Sequence, residues 1–362
     1  MQNDFIKFEG NIIAGPCSAE SKRQVLTTVK ELVDENVNTI RFGIWKPRTK
    51  PGGFEGIGEL AFEWAKEAKN LYGINYGCEV ANREQVNIAL DNGCSFVWIG
   101  ARTTTDPFAV QEIADTLNSR PEKNDIFVFV KNPMCPDLDL WEGAIQRVYN
   151  TGIRKLGAIY RGFKTYNETN KYRNENIWKI PLDLMIKYPS MTMLCDSSHI
   201  AGDRQYLQEI SDAAINVYNF DGLILESHYD PSCALTDAKQ QLVPKDLTVL
   251  LENINKSEII DNTTSVEDNI FNASRVRIDD IDNLIIDLLG ERLVCSKSIG
   301  EYKKNHNIKL YQPDRYNAML ERYSLKCKQL DLDEKYIRDI WDVIHEYSIE
   351  VQSKSSCLHF NE

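Results

Sequence analysis

The sequence predicts a (β/α)8 barrel followed by a small all-helical domain. The first observation is a series of eight short apolar runs, separated by amphipathic stretches of helical length, within about 250 residues, which is the size of such a barrel. The second is that these runs are almost continuously apolar, as is typical of parallel strands buried on both faces. The third is a C-terminal segment of about 90 residues whose apolar positions recur with the 3.6-residue period of a helix.

The eight runs are rich in β-branched and aromatic residues and end in polar ones, as expected of strands that lead into loops. They are NIIAGPCS (11–18), TIRFGIWK (39–46), INYGCEV (74–80), SFVWIGAR (95–102), IFVFVKN (126–132), LGAIYRGF (156–163), MTMLCDSS (191–198) and DGLILESH (221–228). Amphipathic stretches such as KRQVLTTVKELVDEN and GELAFEWAKEAKNLY predict the connecting helices.

A polar segment follows the barrel and predicts a linker. Residues 253–270 are rich in Asn, Ser, Thr, Asp and Glu and contain no Gly. The barrel is therefore assigned to residues 1–252 and the helical domain to residues 271–356. We expect one long helix over 271–304, because its apolar residues keep a helical period without Pro, and such a helix is typical of a dimer interface.

Two shorter helices are predicted after the long one. They cover residues 313–329, with Pro313 in the first turn, and 333–354, with Asp333 as the N-cap. These helices have few residues with which to form a closed core alone. We therefore expect a homodimer through the helical domain, or a homotetramer built from such dimers.

Composition excludes several classes of partner. The 362 residues carry a formal net charge of −12, which argues against nucleic acid and anionic membranes, since such partners require an excess of Lys and Arg. No window approaches 18 uninterrupted apolar residues, and the N-terminus lacks the apolar core of a signal peptide. The nine Cys include no CxxC pair, which favours a reducing compartment. We expect a cytoplasmic protein that acts on small anionic substrates.

Polar side chains at the C-terminal ends of barrel strands predict the active site, because that end of the barrel holds it. Five of these side chains are cationic: Arg41, Lys46, Arg102, Lys131 and Arg161. Any one of them could be solvated or paired with a carboxylate. Five together in a net-acidic chain indicate an anionic ligand with more than one phosphate or carboxylate.

A second set at these ends offers metal ligands. It consists of Cys17, His199, Glu226 and Asp237. A thiolate, an imidazole and two carboxylates suit Mn²⁺, Fe²⁺ or Zn²⁺ better than Mg²⁺ or Ca²⁺, which prefer oxygen ligands. The spacing alone leaves the alternatives open that the Cys belongs to the core and that the His is a structural hydrogen-bond donor.

Six motifs at these strand ends resemble a known enzyme family. They are AGPCSAES (14–21), KPRTKPGGFEG (46–56), IGARTT (99–104), FVKNPM (129–134), CDSSHIAG (195–202) and ESHYDPSCALTDAKQ (226–240). In this order they resemble 3-deoxy-D-arabino-heptulosonate-7-phosphate (DAHP) synthase of the type I β subtype, over essentially all of residues 1–250. The resemblance implies that phosphoenolpyruvate condenses with erythrose 4-phosphate and that phosphate is released, which begins aromatic amino-acid biosynthesis.

The resemblance also implies roles for the candidate residues. The metal ligands would be Cys17, His199, Glu226 and Asp237, with Mn²⁺ the first expectation and Fe²⁺, Co²⁺ or Zn²⁺ the alternatives. The residues assigned to catalysis would be Lys46, Cys17 and His199. Phosphoenolpyruvate would be bound by Arg41, Lys46, Arg102, Lys131 and Arg161. Erythrose 4-phosphate would be bound by Pro47, Arg48 and Thr49. Asp196 and His228 are expected either to support the ligands or to make structural hydrogen bonds.

Two alternatives stay open for the barrel. The related synthase of 3-deoxy-D-manno-octulosonate 8-phosphate shares the fold, phosphoenolpyruvate and the metal site, but typically carries a KANRS-like run. The KPRTKP run of this chain (46–51) favours the four-carbon aldose. Another metal-dependent aldolase would not need five cationic strand ends.

The helical segment also carries candidate site residues. Arg292 and Lys303 are 11 positions apart and therefore share one helix face, whereas Arg275 falls roughly a right angle or more away. Ser348 and Gln352 share a face of the last helix. Such charges on an acidic chain are also typical of a solvated surface. Arg275 could complete a site on a partner chain if two long helices pair antiparallel.

Residues 271–354 resemble the all-helical chorismate mutases. Six positions of that family match without gaps: Arg275 (serving the other subunit), Arg292, Lys303, Arg315, Ser348 and Gln352. The resemblance implies that the three Arg bind carboxylates of chorismate and that Lys303 and Gln352 are catalytic, donating to its ether oxygen. Tyr316 stands where well-known members have a Glu that binds the substrate hydroxyl, and Gln312 replaces an Asp.

Two functional classes follow for this segment. It is either a working mutase, which makes the chain bifunctional, or a regulatory module that binds its ligand without turnover. In both cases we expect prephenate or chorismate, bound in the helical domain, to inhibit the barrel.

Overall fold

The computed structural model describes residues 3–46, 52–165, 171–257 and 266–355. By its contacts the chain divides into two compact units, Met1–Ser274 and Arg275–Glu362. We describe each unit by itself. Helices cover both ends of the predicted linker, because 253–270 contains no Gly or Pro that would end them, while residues 258–265 lie outside the described ones. The predicted domain boundaries at 252 and 271 remain predictions.

The first unit is a closed barrel of eight parallel strands in sequential order, which confirms the predicted fold class. The strands are β1 (Ile12–Gly15), β2 (Thr39–Phe42), β3 (Asn75–Val80), β4 (Phe96–Ile99), β5 (Phe127–Lys131), β6 (Leu156–Tyr160), β7 (Thr192–Cys195) and β8 (Gly222–Glu226). Pairing of Gly15 with Glu226 and of Ala14 with Ile40 closes the barrel through β1.

Helices connect the strands, as the amphipathic stretches predict. They are α1 (Lys22–Asp34), α2 (Leu60–Tyr72), α3 (Arg83–Asp91), α4 (Ala101–Thr104), α5 (Pro107–Ser119), α6 (Leu138–Tyr149), α7 (Lys179–Lys187), α8 (Ser197–Ala201), α9 (Leu207–Asp212) and α10 (Pro244–Ser257). Ser21 and Asp137 cap the N-termini of α1 and α6 by accepting from backbone N–H groups, which explains where those helices begin.

The strands are shorter than the predicted runs, and this is a correction that bears on the site. Cys17, Lys46 and Arg161 follow their strands in loops, Arg102 lies in α4, and Asp196 is the N-cap of α8. The apolar pattern continues past each strand because these loops are also buried. Their polar side chains thus lie beyond the last paired residue, above the barrel end.

The N-terminal end of the barrel is closed by aromatic packing. Phe8, which precedes β1, packs edge to face against Phe96, Phe127 and Phe129, with ring centroids 4.8–5.9 Å apart. These three rings belong to the buried core cluster. An apolar plug at this end leaves the C-terminal end for polar chemistry.

Three helices make up the C-terminal part of the chain: α11 (Val266–Asn305), of which residues 275–305 belong to the second unit, α12 (Pro313–Leu330) and α13 (Glu334–Ser355). Pro313 occupies the first turn of α12, and Asp333 caps α13 by accepting from the Tyr336 N–H at 2.7 Å, so both predicted starts are confirmed. Helix α11 begins five residues before the predicted residue 271. Among the described residues, no helix combines the length and the apolar character that membrane crossing requires.

Candidate functional site

Two buried cations lie over the ring of Trp98 at the C-terminal end of the barrel. The Arg41 guanidinium carbon and the Lys131 Nζ are 5.4 and 5.6 Å from the ring centroid. Arg161 is also buried, and its Nη1 donates to Asn174 Oδ1 at 3.0 Å. Burial lowers the pKa of Arg161 to about 10, which still leaves it charged at neutral pH. Buried cations in a net-acidic chain indicate an anionic ligand.

Arg41 has hydrogen-bonding capacity left for that ligand. Its Nε and Nη1 atoms are buried without a hydrogen-bond partner among the described residues, and its Nη2 lies 3.3 Å from Glu226 Oε1. Burial opposes the charge, but the Glu226 and Asp196 carboxylates outweigh it and raise the pKa of Arg41. Two unpartnered N–H groups on a charged guanidinium fit the oxygens of a carboxylate or phosphate.

Three of the four predicted metal ligands lie together, and the fourth, His199, reaches Glu226. One ligand atom from each of Cys17, Glu226 and Asp237 lies within 4.8 Å of the others. The Cys17 Sγ is 3.2 Å from Asp237 Oδ2, and the His199 Nε2 is 3.8 Å from Glu226 Oε1. These side chains come from the loops after β1 and β8, from α8 and from the end of β8 itself, so the closed barrel brings them together.

This set of donors fits a divalent transition metal ion. Glu226 Oε1 is buried and accepts no hydrogen bond from the described residues, although Arg41 Nη2 lies 3.3 Å away, so this oxygen has a lone pair left for a metal ion. Burial and the Glu226 charge raise the pKa of the Cys17 thiol. A metal that binds Cys17 as a thiolate must therefore displace this proton. One sulfur, one nitrogen and two carboxylates are typical ligands of borderline metals.

Asp196 contacts the ring of His199. Its Oδ2 is 2.9 Å from His199 Nδ1, which leaves Nε2 directed to Glu226. Burial opposes the Asp196 charge, but His199 and Lys131 outweigh it and hold the pKa of Asp196 well below its usual range. Such a partner sets the tautomer and ring orientation of a ligating His. His228 instead lies 3.8 Å from Glu20 and accepts from the Asp230 N–H.

Lys46 reaches the same cluster from the loop after β2. Its Nζ donates to Cys17 Sγ at 2.9 Å. The close approach of these two loops depends on Gly43, where a Cβ atom would lie 1.8 Å from the Cys17 carbonyl oxygen. Burial opposes the ammonium charge, but Cys17 and Glu226 outweigh it and raise the pKa of Lys46. Lys46 is therefore protonated at neutral pH.

Several residues of the site escaped the sequence reasoning. The sequence predicts Trp98 only as a strand residue. In the structure its ring lies under the two cations, and its Nε1 donates to Glu79 Oε2 at 2.9 Å. Gln240 Nε2 donates to Glu226 Oε2 at 2.7 Å, and Arg173 forms an ion pair with Asp237 at 2.9 Å. Period-two alternation on β3 and β4 is the signal that could have placed Glu79 and Trp98 inside the barrel.

A cavity of 520 Å³ opens next to Asp237 at the mouth of this site. Its lining contains three cationic side chains and two carboxylates: Lys171, Arg173, Lys239, Asp203 and Asp237. Arg102 lies in α4. It is near enough to Arg161 for its positive charge to contribute to the lowered pKa of Arg161. Pro47, Arg48 and Thr49, predicted for the second substrate, lie outside the described residues.

The helical unit brings four of its six candidates into contact. Arg292 Nη1 donates to the Ser348 hydroxyl. Lys303 Nζ donates to Gln352 Oε1 at 3.1 Å and to the Leu310 carbonyl at 2.6 Å. Helices α11 and α13 thus face each other along these positions. Ser348 and Gln352 are buried, so the pairs lie between the helices and not on a solvated surface.

Of the other two candidates, the structure describes the side chain of Arg315 but not that of Arg275. Arg315, at the start of α12, lies near Lys303, since burial and the Arg315 charge lower the pKa of Lys303. Arg275 lies in α11, in a stretch whose side chains are outside the described set. At the two departures from the mutase pattern, Gln312 precedes α12 as its N-cap residue, and the Tyr316 hydroxyl donates to Asp342.

Comparison with known proteins assigns the barrel to a family. The model of the DAHP synthetase I family matches residues 8–261. The phospho-2-dehydro-3-deoxyheptonate aldolase of Thermotoga maritima is 30% identical over 231 residues, which cover 64% of this chain and 64% of that protein, less than two thirds of its length. The crystal structure of the Thermotoga maritima enzyme superposes with a TM-score of 0.60 at 26% identity, covering 68% of each chain.

The helical unit has matches of its own. The chorismate mutase type II model matches residues 274–353. The chorismate mutase of Methanocaldococcus jannaschii is 30% identical over 80 residues, 22% of this chain and 81% of that protein. The 4-amino-4-deoxychorismate mutase of Streptomyces venezuelae is 27% identical over 78 residues, 22% of this chain and 76% of that protein. The chain therefore belongs to the DAHP synthetase I family and carries a C-terminal segment of the chorismate mutase type II family.

Proposed function

We propose that this chain is a bifunctional enzyme. Its barrel condenses phosphoenolpyruvate with erythrose 4-phosphate to give DAHP and phosphate, and its helical unit rearranges chorismate to prephenate. The observation that carries the first activity is the buried Arg41, with two unpartnered N–H groups, beside the cluster of metal ligands. The names of the matched families and relatives support both activities.

In this proposal, the cationic side chains at the barrel end bind phosphoenolpyruvate. Guanidinium forks on Arg41 and Arg161 suit its carboxylate and phosphate, and Lys131 adds a buried ammonium. Arg102 and Lys46 complete the set. These cations neutralise the charge of the first substrate. The repulsion that a second phosphorylated anion meets as it approaches is therefore smaller.

The chemistry forms one carbon–carbon bond and, at C2, forms a carbon–oxygen bond to water and breaks the carbon–oxygen bond to phosphate. The C3 carbon of phosphoenolpyruvate attacks the aldehyde carbon of erythrose 4-phosphate, water adds at C2, and phosphate leaves from C2. In this proposal, protonated Lys46 donates a proton to the aldehyde oxygen as that oxygen gains negative charge. A divalent ion held by Cys17, His199, Glu226 and Asp237 supplies Lewis acidity to that oxygen when bound.

For the metal we propose Mn²⁺, with Fe²⁺, Co²⁺ and Zn²⁺ as alternatives. The mixed sulfur, nitrogen and oxygen donors support a borderline transition metal.

Substrate choice separates this function from that of the related octulosonate synthase. With Mn²⁺ and phosphoenolpyruvate, erythrose 4-phosphate should give rapid phosphate release and a five-carbon aldose phosphate should not; the reverse preference would overturn the assignment.

For the mutase, the two pairs between α11 and α13 support the proposal. The rearrangement is pericyclic and needs no acid, base or nucleophile, so the site must hold a dicarboxylate in a chair-like geometry and stabilise charge on the ether oxygen. Arg292, Arg315 and the partner's copy of Arg275 bind carboxylates in this proposal. Lys303 and Gln352, already in contact, donate to the ether oxygen.

Substitution of Gln352 by Glu is expected to make the mutase prefer acid. An ionised Glu cannot donate to the ether oxygen, whereas its protonated form can. Activity should therefore rise as the pH falls towards the ordinary pKa of Glu, about 4.3, which the neighbouring Lys303 lowers further. The pH profile of kcat/KM measures this against the wild type. An unchanged profile would argue against the role of Gln352.

The apolar face of α11 supports a homodimer. Leu284, Ile285 and Leu288 are 49–61% exposed in the single chain, on one side of a helix of 40 residues. Such a face needs a partner, and a second α11 would bury it. Assembly of these dimers into a homotetramer remains an alternative.

Mixing two inactive variants tests whether Arg275 serves the partner. Arg275→Ala and Arg292→Ala should each abolish chorismate turnover alone. When the two are co-expressed in equal amounts, about a quarter of the sites should contain both Arg residues, because half of the dimers are mixed and each has one intact site. We therefore expect about a quarter of wild-type turnover. No recovery in dimers shown to be mixed would contradict the shared site.

The alternative for the helical unit is a regulatory module without turnover. In both versions we propose that prephenate or chorismate inhibits the barrel, because one chain joins the pathway's first reaction to the binding of a later intermediate. Saturating prephenate should lower the rate of DAHP formation, measured as phosphate release. Arg292→Ala should remove this effect while leaving the uninhibited rate unchanged. Full activity of the wild type at saturating prephenate would exclude feedback of this kind.

A further inference from the structure

His345 lies among the residues of the helical site. It precedes Ser348 by one turn and Gln352 by two on α13, so the three side chains share one face of the helix. The ring of Tyr316 stacks on its imidazole, with centroids 4.2 Å apart and planes 21° from parallel. The ring of Tyr311 is 6.2 Å away. His345 Nε2 is buried and has no hydrogen-bond partner among the described residues.

The charges around His345 keep it neutral. Burial and the positive charges of Arg292 and Lys303 lower its pKa, and the opposing effect of Asp342 is smaller. A neutral imidazole carries one donor and one acceptor nitrogen. A buried nitrogen without a hydrogen-bond partner is unfavourable, and a ligand hydroxyl would supply the missing partner.

We propose that His345 Nε2 binds the ring hydroxyl of chorismate in the helical site, a role that rests on the proposed mutase site. Tyr316 stands where the resembling mutases use a Glu for that hydroxyl, and its own hydroxyl donates to Asp342. The Tyr316 ring lies flat against the imidazole, so the unpartnered His345 Nε2 belongs to the side chain stacked at that position. It takes over recognition of the hydroxyl from the missing carboxylate and sets specificity at this end of the substrate.

The test compares chorismate with the analogue that lacks the ring hydroxyl. Steady-state kcat and KM are measured for both, in the full-length wild type and in His345→Phe, which keeps a flat ring against Tyr316. The wild type should prefer chorismate by roughly tenfold in kcat/KM, mostly through KM, as expected for one buried hydrogen bond. His345→Phe should lose that preference through a higher KM for chorismate, with the analogue unaffected.

Two results would overturn the role of His345. One is a preference that persists in His345→Phe, and the other is an equal fall for both substrates, which marks a merely structural residue. If the Phe variant does not fold, His345→Gln supplies a polar atom and should keep part of the preference; the complete loss of it in a folded Gln variant would also contradict the proposal.

The same experiment separates this proposal from the mutase assignment. Wild-type turnover that Arg292→Ala abolishes supports the mutase, whatever happens at His345. If the wild type converts neither substrate, the mutase assignment fails, and the comparison is made on dissociation constants by calorimetry with the same two compounds. Tighter binding of chorismate in the wild type but not in His345→Phe would still support the role of His345, whereas equal binding would overturn it.

Discussion

Glu226→Gln is expected to abolish DAHP formation. The carboxylate is completely buried at the end of β8, next to Arg41, His199 and the Cys17 thiol. The amide keeps the shape but is a weak ligand for a divalent ion. Because even outer partners of metal ligands contribute roughly ten- to a hundredfold, loss of a direct ligand should lower Mn²⁺ affinity and activity by at least about a hundredfold. Calorimetric titration with Mn²⁺ and a phosphate-release assay measure the two effects.

Glu142→Gln is the matched control for this substitution. Glu142 is a partly buried carboxylate of the barrel, but it pairs with Lys187 and Tyr188 between α6 and the end of α7. Its amide variant should keep Mn²⁺ binding and DAHP formation. Thermal unfolding of both variants shows whether they are folded. A folded Glu226→Gln with wild-type metal affinity would contradict the metal site.

Arg292→Ala is expected to abolish chorismate turnover and to leave DAHP formation unchanged. Its guanidinium donates to Ser348 between two helices, where a carboxylate would be largely removed from water. Truncating one partner of such a charged pair costs roughly 2 to 5 kcal/mol, so kcat/KM should fall at least about thirtyfold. The assay is the loss of chorismate absorbance, run beside phosphate release on the same sample.

Arg322→Ala is the control within the helical unit. Arg322 is an exposed arginine of α12, so its removal changes the charge by the same amount without touching the pairs between α11 and α13. It should retain mutase activity. Equal losses in both variants would indicate a general electrostatic effect, and the specific role of Arg292 would be wrong.

The barrel could be predicted from sequence because its signals are local and repeated. Each strand is an apolar run and each helix an amphipathic one, and the C-terminal ends of parallel strands meet at one place by geometry. This placed Arg41, Lys131 and Glu226 towards the C-terminal ends of their strands, where the structure has them. The ends of strands were less predictable, because loops such as that after β2 are as buried and apolar as the strands themselves.

Contacts between distant segments could not be predicted. Arg173 reaches Asp237 from a loop that carries no strand or motif signal, and the Gln240 bond to Glu226 depends on how the last loop folds. In the helical unit the periodicity predicted that Arg292 and Lys303 share one face. It could not predict which helix packs against that face. The unpartnered nitrogen of His345 is a property of packing and not of pattern.

The central claim is that one chain performs two reactions, and the wild-type protein tests it most directly. Purified full-length protein, passed over a sizing column, is assayed in every fraction for phosphate release from phosphoenolpyruvate with erythrose 4-phosphate and for chorismate disappearance. The account predicts that both activities follow the protein in a constant ratio. Phosphate release without any chorismate disappearance would contradict it and would leave the helical unit as a ligand-binding module.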